Sequence, residues 1–172
     1  MQVSSNYFDF FGLPHKLNLD GKDLESRFYA LSKQWHPDRF ARGSEDQRRI
    51  SENATATLND GYRTLRDPVA RAEYLLKEHG FEIGEQKSSN VPPELLEEVF
   101  ELNMALEDVE SSRSELEEAR RKFTRMREEI DQDLLAQFAA YDQGQDKAVL
   151  EKIRAILNRR KYISNLVIQA SL

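Results

Sequence analysis

Leu24-Glu25-Ser26-Arg27-Phe28-Tyr29-Ala30-Leu31-Ser32-Lys33-Gln34-Trp35-His36-Pro37-Asp38-Arg39-Phe40 opens as an amphipathic helix and closes on a turn that no helix can cross unchanged. Leu24, Phe28, Leu31 and Trp35 recur at i, i+4, i+7 and i+11, which gathers them on one helix face that Asp20 is placed to cap. Pro37 stops the helix, because the residue before a proline is pushed out of the α region. Beyond the turn, Ser44 and Gln47 have the spacing of a capping box, and Ile50, Ala54, Leu58, Tyr62 and Leu65 form a second apolar stripe. Two stripes joined by a short polar connection predict an antiparallel helix pair with residues 36–44 as an exposed loop.

Outward from that pair, Asp67-Pro68 reads as the N-cap and first residue of a third helix that runs through Ala72, Leu75 and Leu76 and stops at Gly80. Upstream, Tyr7-Phe8-Asp9-Phe10-Phe11 predicts a short helix or turn whose rings pack on the pair. The stretch from Gly84 to Pro93 is poor in apolar residues and ends in two prolines, so it marks a boundary. The expected organisation is a first domain over 1–82, a linker over 83–92 and a second domain over 93–172. Three helices are expected in the second domain, from Pro93 to Ser111, Ser114 to Tyr141 and Asp146 to Ala170. Ser114 with Glu117 offers a capping box, Gly144 a break, and Val149, Ile153, Ile156, Ile163 and Val167 the inner stripe of the last helix. With charged residues at 33% and only 7 glycines, helices are favoured over turn-rich sheets. The fold class expected is all-α: a helix pair with short flanking helices, then a three-helix antiparallel bundle.

Composition removes several kinds of chemistry. With no cysteine, disulfides, thiolate metal sites and cysteine catalysis are excluded, and no two histidines have ligand spacing. No cofactor and no metal are expected. The apolar runs are only a few residues long, so no membrane span is expected, and Met1 to Tyr7 shows no export or organelle signal. A net charge of -6 argues against nucleic acid as a partner. The acid is concentrated in the second half, where residues 94–118 hold ten acids against one base and residues 120–127 hold five bases and no acid. Antiparallel pairing of those two segments would largely neutralise both. His15 and His79 are expected to be structural or solvated, the latter as a cation at a helix end.

The turn itself carries the function. Pro37 stiffens the chain and leaves His36 and Asp38 displayed, with a carboxylate available for a charge-assisted hydrogen bond from a partner's arginine. A His-Pro-Asp tripeptide arises by chance in roughly one chain in a hundred of this length, so its placement between two long helices carries the identification. In that setting Gln34-Trp35-His36-Pro37-Asp38-Arg39-Phe40 resembles the signature loop of J domains, the chaperone-recruiting module of the DnaJ superfamily. The resemblance implies that His36, Pro37 and Asp38 dock on a DnaK-type ATPase chaperone and promote its ATP hydrolysis. Arg27, Lys33, Arg39 and Arg42 would add attraction to an acidic chaperone surface, mostly as steering. Glu25 makes this helix less basic than many J domains carry, which points to a specialised chaperone.

A second signature narrows the family. The run Leu65-Arg66-Asp67-Pro68-Val69-Ala70-Arg71-Ala72-Glu73-Tyr74-Leu75-Leu76-Lys77-Glu78-His79-Gly80, with Tyr7-Phe8-Asp9-Phe10-Phe11-Gly12-Leu13-Pro14, resembles HscB, the J-type co-chaperone of iron–sulfur cluster assembly. Such membership implies an HscA-like chaperone and an IscU-like cluster scaffold protein as partners. It implies a cytoplasmic location in a bacterium, or the mitochondrial matrix in a eukaryote. The cysteine-based N-terminal module of some eukaryotic relatives is missing, which favours the bacterial form.

In the bundle, Leu95, Val99, Leu102, Leu106 and Val109 give a 4-3-4-3 stripe that seats the first helix. Leu96, Phe100 and Met104 form a second apolar row, rotated by about 100°, and Glu97, Glu101 and Asp108 flank it. An apolar row with an acidic rim has the make-up of a protein-binding patch, although such a row can also simply widen a core stripe. In the resembled family the matching region binds the scaffold, and Tyr162 on the last helix matches a further contact position. Other readings remain: a general J-domain co-chaperone with a different client or a dimerising bundle, a carboxylate-based hydrolase, or a coiled-coil scaffold. The hydrolase needs acids in a pocket, whereas nearly all acids here fall on solvated faces. The coiled coil leaves the His36-Pro37-Asp38 turn without a purpose.

Overall fold

In the computed structural model the described residues are 6–82 and 113–169, together with Pro93, Leu96, Glu97, Phe100 and Met104; for 166–169 the backbone alone is described. Every element among them is a helix, and the chain divides into two compact units, Met1–Phe81 and Glu82–Leu172.

The first unit is built from helices whose starts are fixed by side chains. Helix α1 (Tyr7–Phe11) is capped by Asn6, which accepts from the Asp9 amide. Helix α2 (Gly21–Trp35) is capped by Asp20, which accepts from Lys22 and Asp23. Pro37–Phe40 forms a four-residue helical turn, α3, with His36 as its N-cap. The expected loop over 36–44 therefore contains a helical turn: Pro37, which cannot continue α2, suits the first position of a new helix because its missing N–H needs no partner there. Helix α4 (Glu45–Arg66) starts at Ser44, and both halves of the Ser44/Gln47 capping box are made. Helix α5 (Pro68–Glu78) starts at Asp67, which accepts from Ala70, and ends before Gly80, whose φ of 81° a side chain would oppose.

Helices α2 and α4 pack as the antiparallel pair, with α1 and α5 against α4. The core is Phe8, Phe11, Leu17, Leu24, Ala54, Leu58, Leu65, Ala72, Leu75 and Leu76, all nearly free of solvent. Each such Leu or Phe stabilises the fold by about 1.5–3 kcal/mol relative to exposure. Gly61 lets α1 approach α4 directly, since a Cβ there would sit 3.0 Å from Phe11 and 3.1 Å from Tyr7. Arg71 is the buried cation of this unit: its Nε donates to the Leu17 carbonyl at 2.7 Å and its Nη1 to the Leu65 carbonyl at 2.5 Å. It ties the loop after α1 to the end of α4. His15 pairs with Asp9 at 2.8 Å and stacks on Phe8, and His79 closes α5 as its C-cap.

In the second unit, helices α6 (Arg113–Gly144) and α7 (Lys147–Gln169) pack along their length. Phe123, Ile130, Leu134, Phe138 and Tyr141 on α6, with Leu150, Ile153, Ile156, Leu157 and Ile163 on α7, form the buried seam. Arg160 reaches Asp131 at 2.5 Å and Arg159 reaches Asp133 at 3.6 Å across it. Two local expectations change. Ser114 lies inside α6, which is already helical at Arg113, so it is not the N-cap. The left-handed residue between the helices is Gln145 (φ 50°), after Gly144 has completed α6. Asp146 then accepts from the Ala148 amide at 2.9 Å and starts α7. Pro93, Leu96, Glu97, Phe100 and Met104 are helical, while the expected 4-3-4-3 stripe and the side chain of Val167 lie outside the described residues.

Candidate functional site

The end of α2 is held in place from below and leaves its terminal turn in solvent. A helix leaves its last carbonyls without partners inside the helix, and here the Trp35 carbonyl accepts from Ser51 Oγ at 2.7 Å and Thr55 Oγ1 at 3.3 Å, both on α4. The Trp35 ring stacks on Phe40 with centroids 6.2 Å apart, closing the turn over its own base. The segment between them is thus fixed at both ends by packing.

Within it, His36 Nδ1 accepts from the Asp38 amide at 3.3 Å and lies 3.5 Å from Asp38 Oδ2. With Nδ1 accepting, the neutral ring carries its N–H on Nε2. The turn therefore offers a donor and a carboxylate side by side, and the two side chains are 58% and 90% exposed. A fixed donor–acceptor pair whose side chains lie mostly in solvent can recognise a complementary pair on a protein surface.

The expected cations divide between surface and scaffold. Lys33 is exposed, and Arg39 folds back so that its Nη1 donates to the Lys33 carbonyl at 3.1 Å, placing two cations beside His36. Arg42 is exposed. Arg27 is engaged elsewhere: its Nε bonds both oxygens of Asp23 at 3.0 Å, and its Nη1 donates to the carbonyls of Phe11 at 3.1 Å and Gly12 at 2.8 Å. It clamps the end of α1 to α2.

In the second unit, Phe100 is 64% and Met104 55% exposed, Glu97 is exposed and Leu96 is partly covered. Phe100 and Met104 sit four residues apart, so two open apolar side chains are neighbours on one helix face. Glu101 and Asp108 lie outside the described residues. Tyr162 is partly covered on α7, next to the Arg159 and Arg160 pairs, and no described hydrogen bond or ring contact joins it to the Leu96 row.

Sequence reasoning missed Ser51 and Thr55. The signal was present, since Ser51, Ala54 and Leu58 fall at i, i+3 and i+7, so a hydroxyl stands on the core face of α4 and needs an acceptor. It missed Tyr29 as well, an aromatic on the outer face of α2 that is 58% exposed. Among the described residues no cluster of acids and histidines could hold a metal, and no helix is long and apolar enough to cross a membrane.

Comparison with known proteins shows what the chain is similar to. The family described as HSCB C-terminal oligomerisation domain matches residues 91–170. A Vibrio cholerae protein named co-chaperone protein HscB homolog is 46% identical over 104 residues, 60% of this chain and 61% of its own. Its Aliivibrio salmonicida counterpart of the same name is 44% identical over 107 residues, 62% of this chain and 63% of its own. The matched region thus spans less than two thirds of these relatives. Structural similarity reaches further: the chaperone HscB structure from Vibrio cholerae is 34% identical with a TM-score of 0.60 and covers 96% of this chain and 99% of its own. The crystal structure of human co-chaperone protein HscB is 28% identical with a TM-score of 0.75, covering 96% of this chain and 80% of its own.

Proposed function

This chain belongs to the HscB family of co-chaperones, and from that premise we propose that it carries an iron–sulfur cluster scaffold protein to a specialised DnaK-type, HscA-like chaperone and stimulates that chaperone's ATPase. The observation that carries this reading is the turn at His36 to Asp38, anchored at both ends and exposed between them. Such a turn acts by binding one conformation of the chaperone better than the other, and its effect is limited to that difference in affinity. His36 and Asp38 make the contact, Pro37 sets their direction, and Lys33 and Arg39 steer an acidic surface toward them. Arg27 serves the reading as a brace for α2. The protein works as a binding module in this account, with no reaction of its own, in the cytoplasm of a bacterium.

The second unit, taken as the domain after a linker over 83–92, holds the scaffold. Support comes from Phe100 and Met104, open to solvent on one row with the partly covered Leu96 and next to Glu97. Glu101, Asp108 and Tyr162 complete the proposed contact set. The description of the matched family names oligomerisation, so a second copy of the chain is the competing occupant of that row.

Steady-state ATPase of the HscA-like chaperone, with and without scaffold, tests both halves. His36→Gln is expected to abolish stimulation while leaving the fold intact, and stimulation that persists refutes the docking role. Leu96→Ala with Phe100→Ala is expected to weaken scaffold binding by at least tenfold and to spare the scaffold-independent stimulation. If the same pair instead dissociates an oligomer and leaves scaffold affinity unchanged, the row is a self-association surface.

A further inference from the structure

Residues 120–127 hold five bases and no acid, and the buried seam of the second unit uses none of them. Three of the five, Arg121, Lys122 and Arg125, are exposed and, with Ser114 and Glu118, line a hollow of about 350 Å³ along α6. Ser114, Glu118, Arg121 and Arg125 stand at i, i+4, i+7 and i+11, one row of the helix, with Lys122 beside it. Ala119 and Phe123, each two residues before one of these arginines, are buried, so the row faces away from the seam.

The cations of this row are weakly engaged. Arg121 Nε donates to the Glu117 carbonyl of its own helix at 3.3 Å, and Lys122 Nζ lies 3.9 Å from Glu118 Oε1 with both side chains more than half exposed. Arg125 makes no hydrogen bond or ion pair among the described residues. Arg159 and Arg160, by contrast, reach acids on the facing helix. Arg121 and Arg125 are like charges at i and i+4, which costs a helix about 0.2–0.5 kcal/mol, so the fold is not what benefits from them. The surroundings also limit what the hollow can take. Its described lining has no apolar side chain, so a ligand with an apolar body gains nothing there. Glu117 and Glu118 bound the cations on one side and Glu128 and Glu129 on the other, all four exposed, and Arg121 and Arg125 are separated by a rise of about 6 Å. A polymer laid along α6, nucleic acid or acidic peptide, would run over those acids, while a compact anion fits between them.

We propose that this hollow binds a compact polyphosphate, a di- or triphosphate group held by the guanidinium forks of Arg121 and Arg125, the Lys122 ammonium and the Ser114 hydroxyl. A guanidinium fork engages phosphate oxygens two at a time, and an ammonium adds a point charge. Glu118 is the opposing group, since its carboxylate repels the anion and competes for Lys122. The site is independent of the docking reading of the His36 turn. A free inorganic phosphate chain and the phosphates of a nucleotide share this chemistry.

Calorimetric titration of the full chain with sodium triphosphate, and in a second arm with ATP, tests the assignment at physiological ionic strength, where diffuse attraction is screened. Saturable binding at one site is expected. Arg121→Gln and Arg125→Gln should each weaken it about tenfold, and Glu118→Gln should tighten it about threefold, a gain that no loss of folding could mimic. Arg127→Gln, two residues from Arg125 and so on the far side of the helix, should stay within about twofold of the parent. ATP within about threefold of triphosphate assigns recognition to the phosphates alone, whereas ATP bound at least about tenfold tighter, with the same response to Arg125→Gln, assigns the site to a nucleotide. Titrations that never saturate in the millimolar range overturn the proposal, and so does an equal loss in Arg127→Gln and Arg125→Gln, which is diffuse attraction. An oligo-glutamate peptide that binds more tightly than triphosphate overturns it as well, and makes the hollow a protein-docking surface.

Discussion

The two units are stabilised by different means. In the first, each helix start is fixed by a named side chain, Asn6, Asp20, His36, Ser44 or Asp67, and its elements are joined by hydrogen bonds from Arg27, Ser51, Thr55 and Arg71 to main-chain carbonyls. The described part of the second unit is two long helices held by an apolar seam and by Arg–Asp pairs near its rim. The first design fixes atomic positions, as in the turn that presents one donor and one carboxylate. The second fixes the packing of two long faces. Polar bonds to buried carbonyls give position at the risk of large loss on deletion, whereas seams tolerate substitution of similar volume.

The sharpest way to break that contrast is to delete one arginine from each unit. Arg71→Leu removes donors from the Leu17 and Leu65 carbonyls in a site that is 7% exposed, and should destabilise the first unit by about 3 kcal/mol or more. Arg160→Leu removes the Asp131 pair, whose side chains are 29% and 40% exposed, and should cost the second unit no more than about 1 kcal/mol. Native-state hydrogen exchange reads the units separately. Equal losses would mean that the second unit also depends on placed polar contacts.

Two glycines sharpen the comparison by giving opposite signs for one substitution. Gly61→Ala would press a methyl against Phe11 and Tyr7 at 3.0–3.1 Å, and α1 must shift, at about 1–2 kcal/mol. Gly144→Ala meets nothing within 4 Å and its φ is not positive, so it should stabilise α6 by about 0.5 kcal/mol. Denaturant midpoints that move the same way for both would show that the close approach of α1 to α4 yields freely.

How much of this was legible in the sequence follows the same division. The caps at Asp20, Ser44 and Asp67, the stop at Pro37 and the two apolar stripes of the first unit are local rules, and the described helices follow them. The helical turn at Pro37–Phe40 was missed because Pro37 carries two messages, the end of one helix and the first residue of another, and the spacing of apolar residues reports only the first. Ser51 and Arg71 were not assigned their partners because the groups they bind, the carbonyls of Trp35, Leu17 and Leu65, have no letter in the sequence. In the second unit, periodicity gave α6 and α7 but placed the cap at Ser114 and the break at Gly144. With long uniform helices the ends are set by packing, and here the left-handed residue is Gln145. For the Leu96 row, a side chain's period cannot say whether a neighbour covers it, and the exposure of Phe100 and Met104 is what sequence alone could not supply.

The last comparison uses one tyrosine from each unit. Burial raises both Tyr74 and Tyr141 above the ordinary phenol value of 10.0. At Tyr74 a bond from the Tyr7 amide opposes the shift and Glu78 adds to it, and at Tyr141 Asp142 adds to it. The folded state therefore keeps these protons when the unfolded chain has begun to lose them. Between pH 10 and the higher folded values the unfolded state binds fewer protons, so stability falls as pH rises, by at most about 1.4 kcal/mol per pH unit for each group, and it is unaffected well below pH 10. Tyr141→Phe should flatten the alkaline loss in the second unit. Tyr74→Phe should flatten it in the first unit while also removing the hydroxyl that accepts from the Tyr7 amide at 3.1 Å, for a loss of about 1 kcal/mol at pH 7. Exchange-resolved stability from pH 8 to 11 checks this, and a Tyr74→Phe variant indistinguishable from the parent at pH 7 would remove that hydroxyl from the set of placed contacts that distinguishes the first unit.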